Sequence, residues 1–173
     1  MGDREIRTSC GKYLEDRPRF FTRVRDYCPA MNPRHVDLVR DSFVQVLVDS
    51  ERAAHIFYDR LFELAPDTRP MFRKDMAEQG RLLIDALARI VTGLSRLDAM
   101  LPSLRKLAER HVGYGVEHRH YAVAGEALVH MIKVHGGPTV DAQTIEAWKV
   151  AYALVADAMI AATPDAREMR DAA

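Results

Sequence analysis

Cysteine is nearly missing from this chain, with Cys10 and Cys28 the two thiols among 173 residues. Beyond residue 28 the sequence therefore holds neither a disulfide framework nor a thiolate zinc site, which points to a reducing, cytoplasmic compartment. Charge of one sign is missing too. The 25 Lys+Arg are balanced by 25 Asp+Glu, so the electrostatic footprint of a nucleic-acid or anionic-membrane binder is not there. No run approaches the roughly 18 apolar residues of a membrane span. The N-terminus carries charges every few residues where a signal peptide would have an apolar stretch. Period-two alternation and internal repeats are absent as well, which sets aside β architectures and solenoids. What remains is one domain's length of chain with 48% hydrophobic residues, enough for one sizeable core.

That core is patterned for helices, and the fold class is all-α. Val36, Val39, Phe43 and Leu47 step by one helix face, and Asn32-Pro33 supplies a cap followed by a proline at the first helical position. The spacing predicts a helix over 33–48. A second helix opens at Asp49-Ser50 and stops at Ala65-Pro66, followed by a short turn closed by Pro70-Met71-Phe72. Met76, Gln79, Leu83, Leu87, Ile90, Val91 and Leu94 form the next apolar stripe. Pro102 is read as the first turn of a helix with Leu104, Leu107, Ala108 and His111, stopped by Gly113 and Gly115. Two more helices are expected, from about 117 to 134 and from about 141 to 162.

Residues 1–32 lack a sustained helical period and read as a flexible or loosely docked extension, with Tyr13, Phe20, Phe21 and Tyr27 available for docking. Met31 is an alternative start. Residues 33–162 form the domain and 163–173 a C-terminal tail.

Three polar residues fall on otherwise apolar faces. His111 points where Leu104 and Leu107 point, Gln79 interrupts the long stripe, and Tyr58 lies on the second helix. Each would cost roughly 1–3 kcal/mol if buried unpaired, so their convergence signals that they surround something. An imidazole on a buried face is a candidate axial ligand for haem iron. By contrast, Glu117, His118 and His120 read as surface residues, because histidines two apart on a helix face different ways.

The motifs resemble the globins, specifically single-domain bacterial globins close to the haem domain of flavohaemoglobins. They are Phe57-Tyr58-Asp59-Arg60-Leu61-Phe62, Pro66, Pro70-Met71-Phe72, Asp75-Met76-Ala77-Glu78-Gln79-Gly80, Arg110-His111-Val112-Gly113-Tyr114-Gly115-Val116, His120-Tyr121 and Ala147-Trp148-Lys149-Val150-Ala151-Tyr152. The 32 positions from Gln79 to His111 resemble that family's distal-to-proximal spacing. The resemblance implies a three-over-three helical sandwich of helices A–C and E–H, with helix D missing because Gln79 follows Phe72 by only seven positions. It implies haem b as cofactor and His111 as its proximal metal ligand, with its second nitrogen donating to the Leu107 carbonyl or to Tyr121. Phe72, Leu83, Leu107, Arg110, Val116 and Tyr121 would hold the cofactor. Tyr58, oriented by Gln79, would be the distal pair that acts on the bound gas. Gly80 and Ala54 would mark the close crossing of helices B and E. The glutamate with which flavohaemoglobins back the proximal histidine would fall near Pro164-Asp165, and Leu82 stands where many relatives carry a cation.

The function implied is reversible binding of O2, NO and CO at a five-coordinate haem, with dioxygenation of NO supplied by an external electron donor or reductase. A gas sensor using the extension, an O2 store and a haem-free interaction module are the alternatives.

Overall fold

The computed structural model describes residues 31–163. They form six α-helices and no strand among the described residues: α1 Pro33–Val48, α2 Ser50–Leu64, α3 Met76–Gly93, α4 Leu97–Gly113, α5 His118–Gly136 and α6 Ala142–Ile160. Short 3-10 segments, Pro66–Met71, Leu94–Arg96 and Gly137–Thr139, make the corners. The extension over residues 1–30 with Cys10 and Cys28, and Pro164-Asp165 with the rest of the tail, lie outside the described residues.

Short polar side chains start the helices as their sequence positions suggest. Asn32 accepts the His35 N–H at 2.8 Å with Pro33 next to it, Asp49 accepts from Arg52 at 3.2 Å, and Asp141 accepts from both the backbone and hydroxyl of Thr144 at 2.7 and 2.8 Å. Each cap satisfies amides that no carbonyl inside the helix can reach. Between Met71 and Met76 no helix intervenes, so helix D is missing as the spacing implied.

One boundary differs from the sequence reading. The helix carrying His111 begins at Leu97, and Pro102 lies inside it. Proline removes a single amide there, and the chain leaves α3 through one 3-10 turn, so five residues before Pro102 are already helical.

The helices pack in two layers. The α1, α3 and α4 helices lie over α2, α5 and α6, with α2 against α5 and α1 against α6 among the most extensive contacts. Val39, Val46, Met131 and Ile132 are fully buried where α1 and α5 meet the rest. Trp148 packs its ring 6.2 Å from Phe43 and donates to Ser42 Oγ at 2.9 Å, so its one polar atom is satisfied inside the core.

The buried apolar residues separate into two clusters. One joins α1, α2, α3, α5 and α6, and the other gathers Leu104, Ala108, Tyr121 and the end of α6. Ile90 and Tyr152 touch both, while α3 and α4 contact each other sparsely.

Candidate functional site

His111 stands in the last turn of α4. Its Nδ1 lies 2.9 Å from the Leu107 carbonyl one turn earlier, which is an acceptor only, so Nδ1 carries the proton. Nε2 then presents a lone pair, and it forms no hydrogen bond among the described residues. Burial holds the imidazolium below the usual histidine range, the Arg110 charge pushes the same way, and the Leu107 carbonyl pulls against both. The result is a neutral imidazole with one nitrogen tied down and the other bare, the state in which histidine binds a metal.

Tyr121 lies against it. The two rings are near-parallel with centroids 6.3 Å apart. The Tyr121 hydroxyl is buried without a hydrogen-bond partner among the described residues, and burial pushes its pKa up. Its main-chain carbonyl accepts from Tyr152 Oη at 2.6 Å. Gly125 makes room for that bond, since a Cβ there would sit 2.6 Å from the Tyr152 ring.

Tyr58, in α2, is 6% exposed, and desolvation pushes its pKa up to about 12, so the hydroxyl keeps its proton at neutral pH. That hydroxyl donates to the main-chain carbonyl of Gln79 at 3.2 Å, not to its side chain. This differs from the orientation by the Gln79 amide expected from the sequence. The reason is the close crossing of α2 and α3: a Cβ on Gly80 would lie 3.0 Å from Ala54 Cβ, which lets the α3 backbone itself reach the tyrosine. At 3.2 Å the bond is long for O–H···O, and the proton is free to be shared with a better acceptor.

Phe72 is fixed by an aromatic cluster that sequence reading missed. Tyr58 meets Phe72 edge-on at 5.3 Å and stacks on Phe62 at 5.8 Å, Phe62 meets Phe72 at 5.4 Å, and the Arg69 guanidinium covers Phe62 at 4.6 Å. The i, i+4 spacing of Tyr58 and Phe62 was the available signal.

Phe72 and Leu83 lean on the first apolar cluster, Leu107 and Val116 on the second, and Gln79 and His111 share their incomplete burial. Arg110, Arg81 and Leu82 are exposed. His120 corrects the surface reading. It is 4% exposed, its Nδ1 accepts the Glu117 N–H at 2.9 Å, and its Nε2 faces Asp67 at 3.3 Å. Here histidine fills the place that Glu or Gln takes in a capping box, and the Glu117-x-x-His120 spacing was the signal. Asp67 also holds Arg119 at 2.6 Å, which ties the segment before Phe72 to the start of α5. No group of three or more potential metal-binding His, Cys, Asp or Glu side chains exists among the described residues. No helix there is long and apolar enough to cross a membrane.

Comparison with known proteins gives a consistent picture. A family model described as Globin matches residues 55–159. The chain is similar to a flavohemoprotein of Bacillus subtilis, 22% identical over 144 residues, and to one of Chromobacterium violaceum, 33% identical over 108 residues. These alignments cover 82% and 60% of this chain but 36% and 26% of the relatives, so the chain spans about a third of their length. Among solved structures, a bacterial globin from Campylobacter jejuni superposes with a TM-score of 0.68 at 26% identity, covering 79% of this chain and 99% of the other.

Proposed function

The chain belongs to the globin family, and from that premise we propose that it binds haem b through His111 and reversibly takes O2, NO and CO at a five-coordinate site. The observation that carries this reading is the His111 side chain, whose Nδ1–H is committed to Leu107 while Nε2 stays bare. The residues fit such a group. A single neutral imidazole supplies the metal donor, an orphaned Tyr121 hydroxyl backs it, and half-buried Phe72, Leu83, Leu107 and Val116 offer apolar surface from both clusters. Arg110, exposed beside His111, would pair with a carboxylate at the rim.

When bound, haem supplies the iron that takes the gas. Tyr58 keeps a protonated hydroxyl in an apolar setting, where it would be available to a ligand that carries partial negative charge, and the Gln79 carbonyl holds the tyrosine in place. Such a hydrogen-bond donor would be worth about 1.5–3 kcal/mol, or about 10- to 100-fold, to a partially negative gas ligand. Slow O2 release of that kind would suit consumption of NO to nitrate better than O2 delivery. Electrons for turnover would come from an external donor or reductase. We assign residues 33–162 to the haem-binding unit.

The visible spectrum tests the reading. Purified protein is expected to show a strong Soret band, His111→Ala to lose the five-coordinate ferrous spectrum, and added imidazole to restore it. A His111→Ala protein with the parent spectrum would assign the ligand elsewhere.

A further inference from the structure

The outward face of α1 carries apolar surface that nothing among the described residues covers. Val44 and Val48 are 56 and 79% exposed, and Leu47, which the sequence spacing put on the face of Val36, Val39 and Phe43, is itself 50% exposed in the last turn of the helix. Asp37, Asp41, Val44 and Val48 follow one another at helical steps of four, three and four, so two carboxylates and the apolar patch share one stripe. Both aspartates are exposed and have no ion pair among the described residues. Arg40, which borders the stripe, reaches away from it to the Thr92 carbonyl at 3.2 Å and Ser95 Oγ at 3.1 Å. The face is therefore acidic toward the start of α1 and apolar toward its end.

The chain itself holds a complement. Arg17-Pro18-Arg19-Phe20-Phe21-Thr22-Arg23-Val24-Arg25 has four arginines, no acidic residue and a centre of Phe20, Phe21 and Val24. We propose that this segment, which lies outside the described residues, docks on the α1 face of its own molecule, with Phe20 and Phe21 on Val44, Leu47 and Val48 and its arginines beside Asp37 and Asp41. The reach permits it. Phe21 is ten residues before Met31, about 33 Å of extended chain, and Val44 is thirteen residues beyond Met31, about 20 Å along the helix. Such a tether keeps the segment at high local concentration, so the intramolecular contact outcompetes the same face of a second copy. Charge selects the direction of approach and the aromatic pair supplies the buried area.

Disulfide trapping in the full chain tests this. With Cys10→Ser and Cys28→Ser to remove the native thiols, Thr22→Cys and Leu47→Cys are introduced and bond formation is followed under mild oxidation. An intramolecular bond is expected, and adding Phe20→Ala and Phe21→Ala, which changes neither tether nor charge, is expected to slow it about tenfold or more. Asp37→Lys with Asp41→Lys, both at exposed positions, is expected to slow it and to reverse the sign of its dependence on salt, because salt then screens a repulsion. Rates unaffected by either pair would overturn the proposal, because the tether alone would then account for closure. Covalent dimers as the main product would also overturn it, in favour of a second copy on this face.

Discussion

Tyr58 and His111 are opposite solutions to holding one polar group in an apolar interior. His111 is tied through Nδ1 so that Nε2 is bare, whereas Tyr58 keeps its proton on a long bond to a carbonyl it can leave. Tyr58→Phe removes that donor without opening a cavity. O2 dissociation is expected to rise by about tenfold or more, and CO dissociation, where the ligand carries less charge, to change much less. Stopped-flow ligand replacement measures both. Gln79→Leu leaves the main-chain carbonyl in place, so its effect on O2 release is expected to be smaller than that of Tyr58→Phe. The residue types and their face periodicity were legible in the sequence. Which atom of Gln79 meets the tyrosine was not, because that depends on how closely two helix backbones approach.

At the scale of elements, the close approaches are set by small residues. Gly125 lies under Tyr152, whose half-buried ring is held by its hydroxyl bond to the Tyr121 carbonyl. Gly125→Ala gains helix propensity, yet it is expected to destabilise by about 1–3 kcal/mol in urea unfolding, because the ring or α5 must shift. The corner before Phe72 depends on Asp67 instead. Its carboxyl is held below the usual carboxylate range, first by the hydrogen bond from Arg119 and also by His120. A depressed folded pKa means that the unfolded chain binds the proton more readily. The stabilisation is therefore present above the ordinary Asp value near 4 and is lost as pH falls through the lower folded value. Asp67→Asn is expected to be less stable than the parent at pH 7, with the difference shrinking by pH 3 and in high salt, since the pair is exposed. Chemical denaturation at both pH values checks it. The sequence hid this tie because His120 replaces the usual Glu or Gln of the cap, and its partner lies 53 residues away.

For the whole molecule, α1 begins at Pro33 and the site residues follow it, so a chain starting at Met31 is expected to fold and to keep its O2 and CO rates within about twofold, as distant independent sites do. Flash photolysis of both lengths measures this, and a large change would show residues 1–30 reaching the pocket. The helices, their caps and the absent helix D follow from local rules, namely apolar spacing, Asn and Asp before the first turn, and Gly or Pro at the ends. The sequence by itself thereby determined the all-α class, the order of elements and the polar residues on apolar faces. Only the tertiary structure decided the rest. It bonded Tyr58 to a backbone carbonyl, buried His120 against Asp67, gathered Phe62 and Arg69 around Phe72, and left the α1 face without cover from the other described residues. Periodicity tells which side of a helix turns inward. Contacts between residues far apart in the chain depend on the distance and angle at which helices cross, and those come from packing all six together.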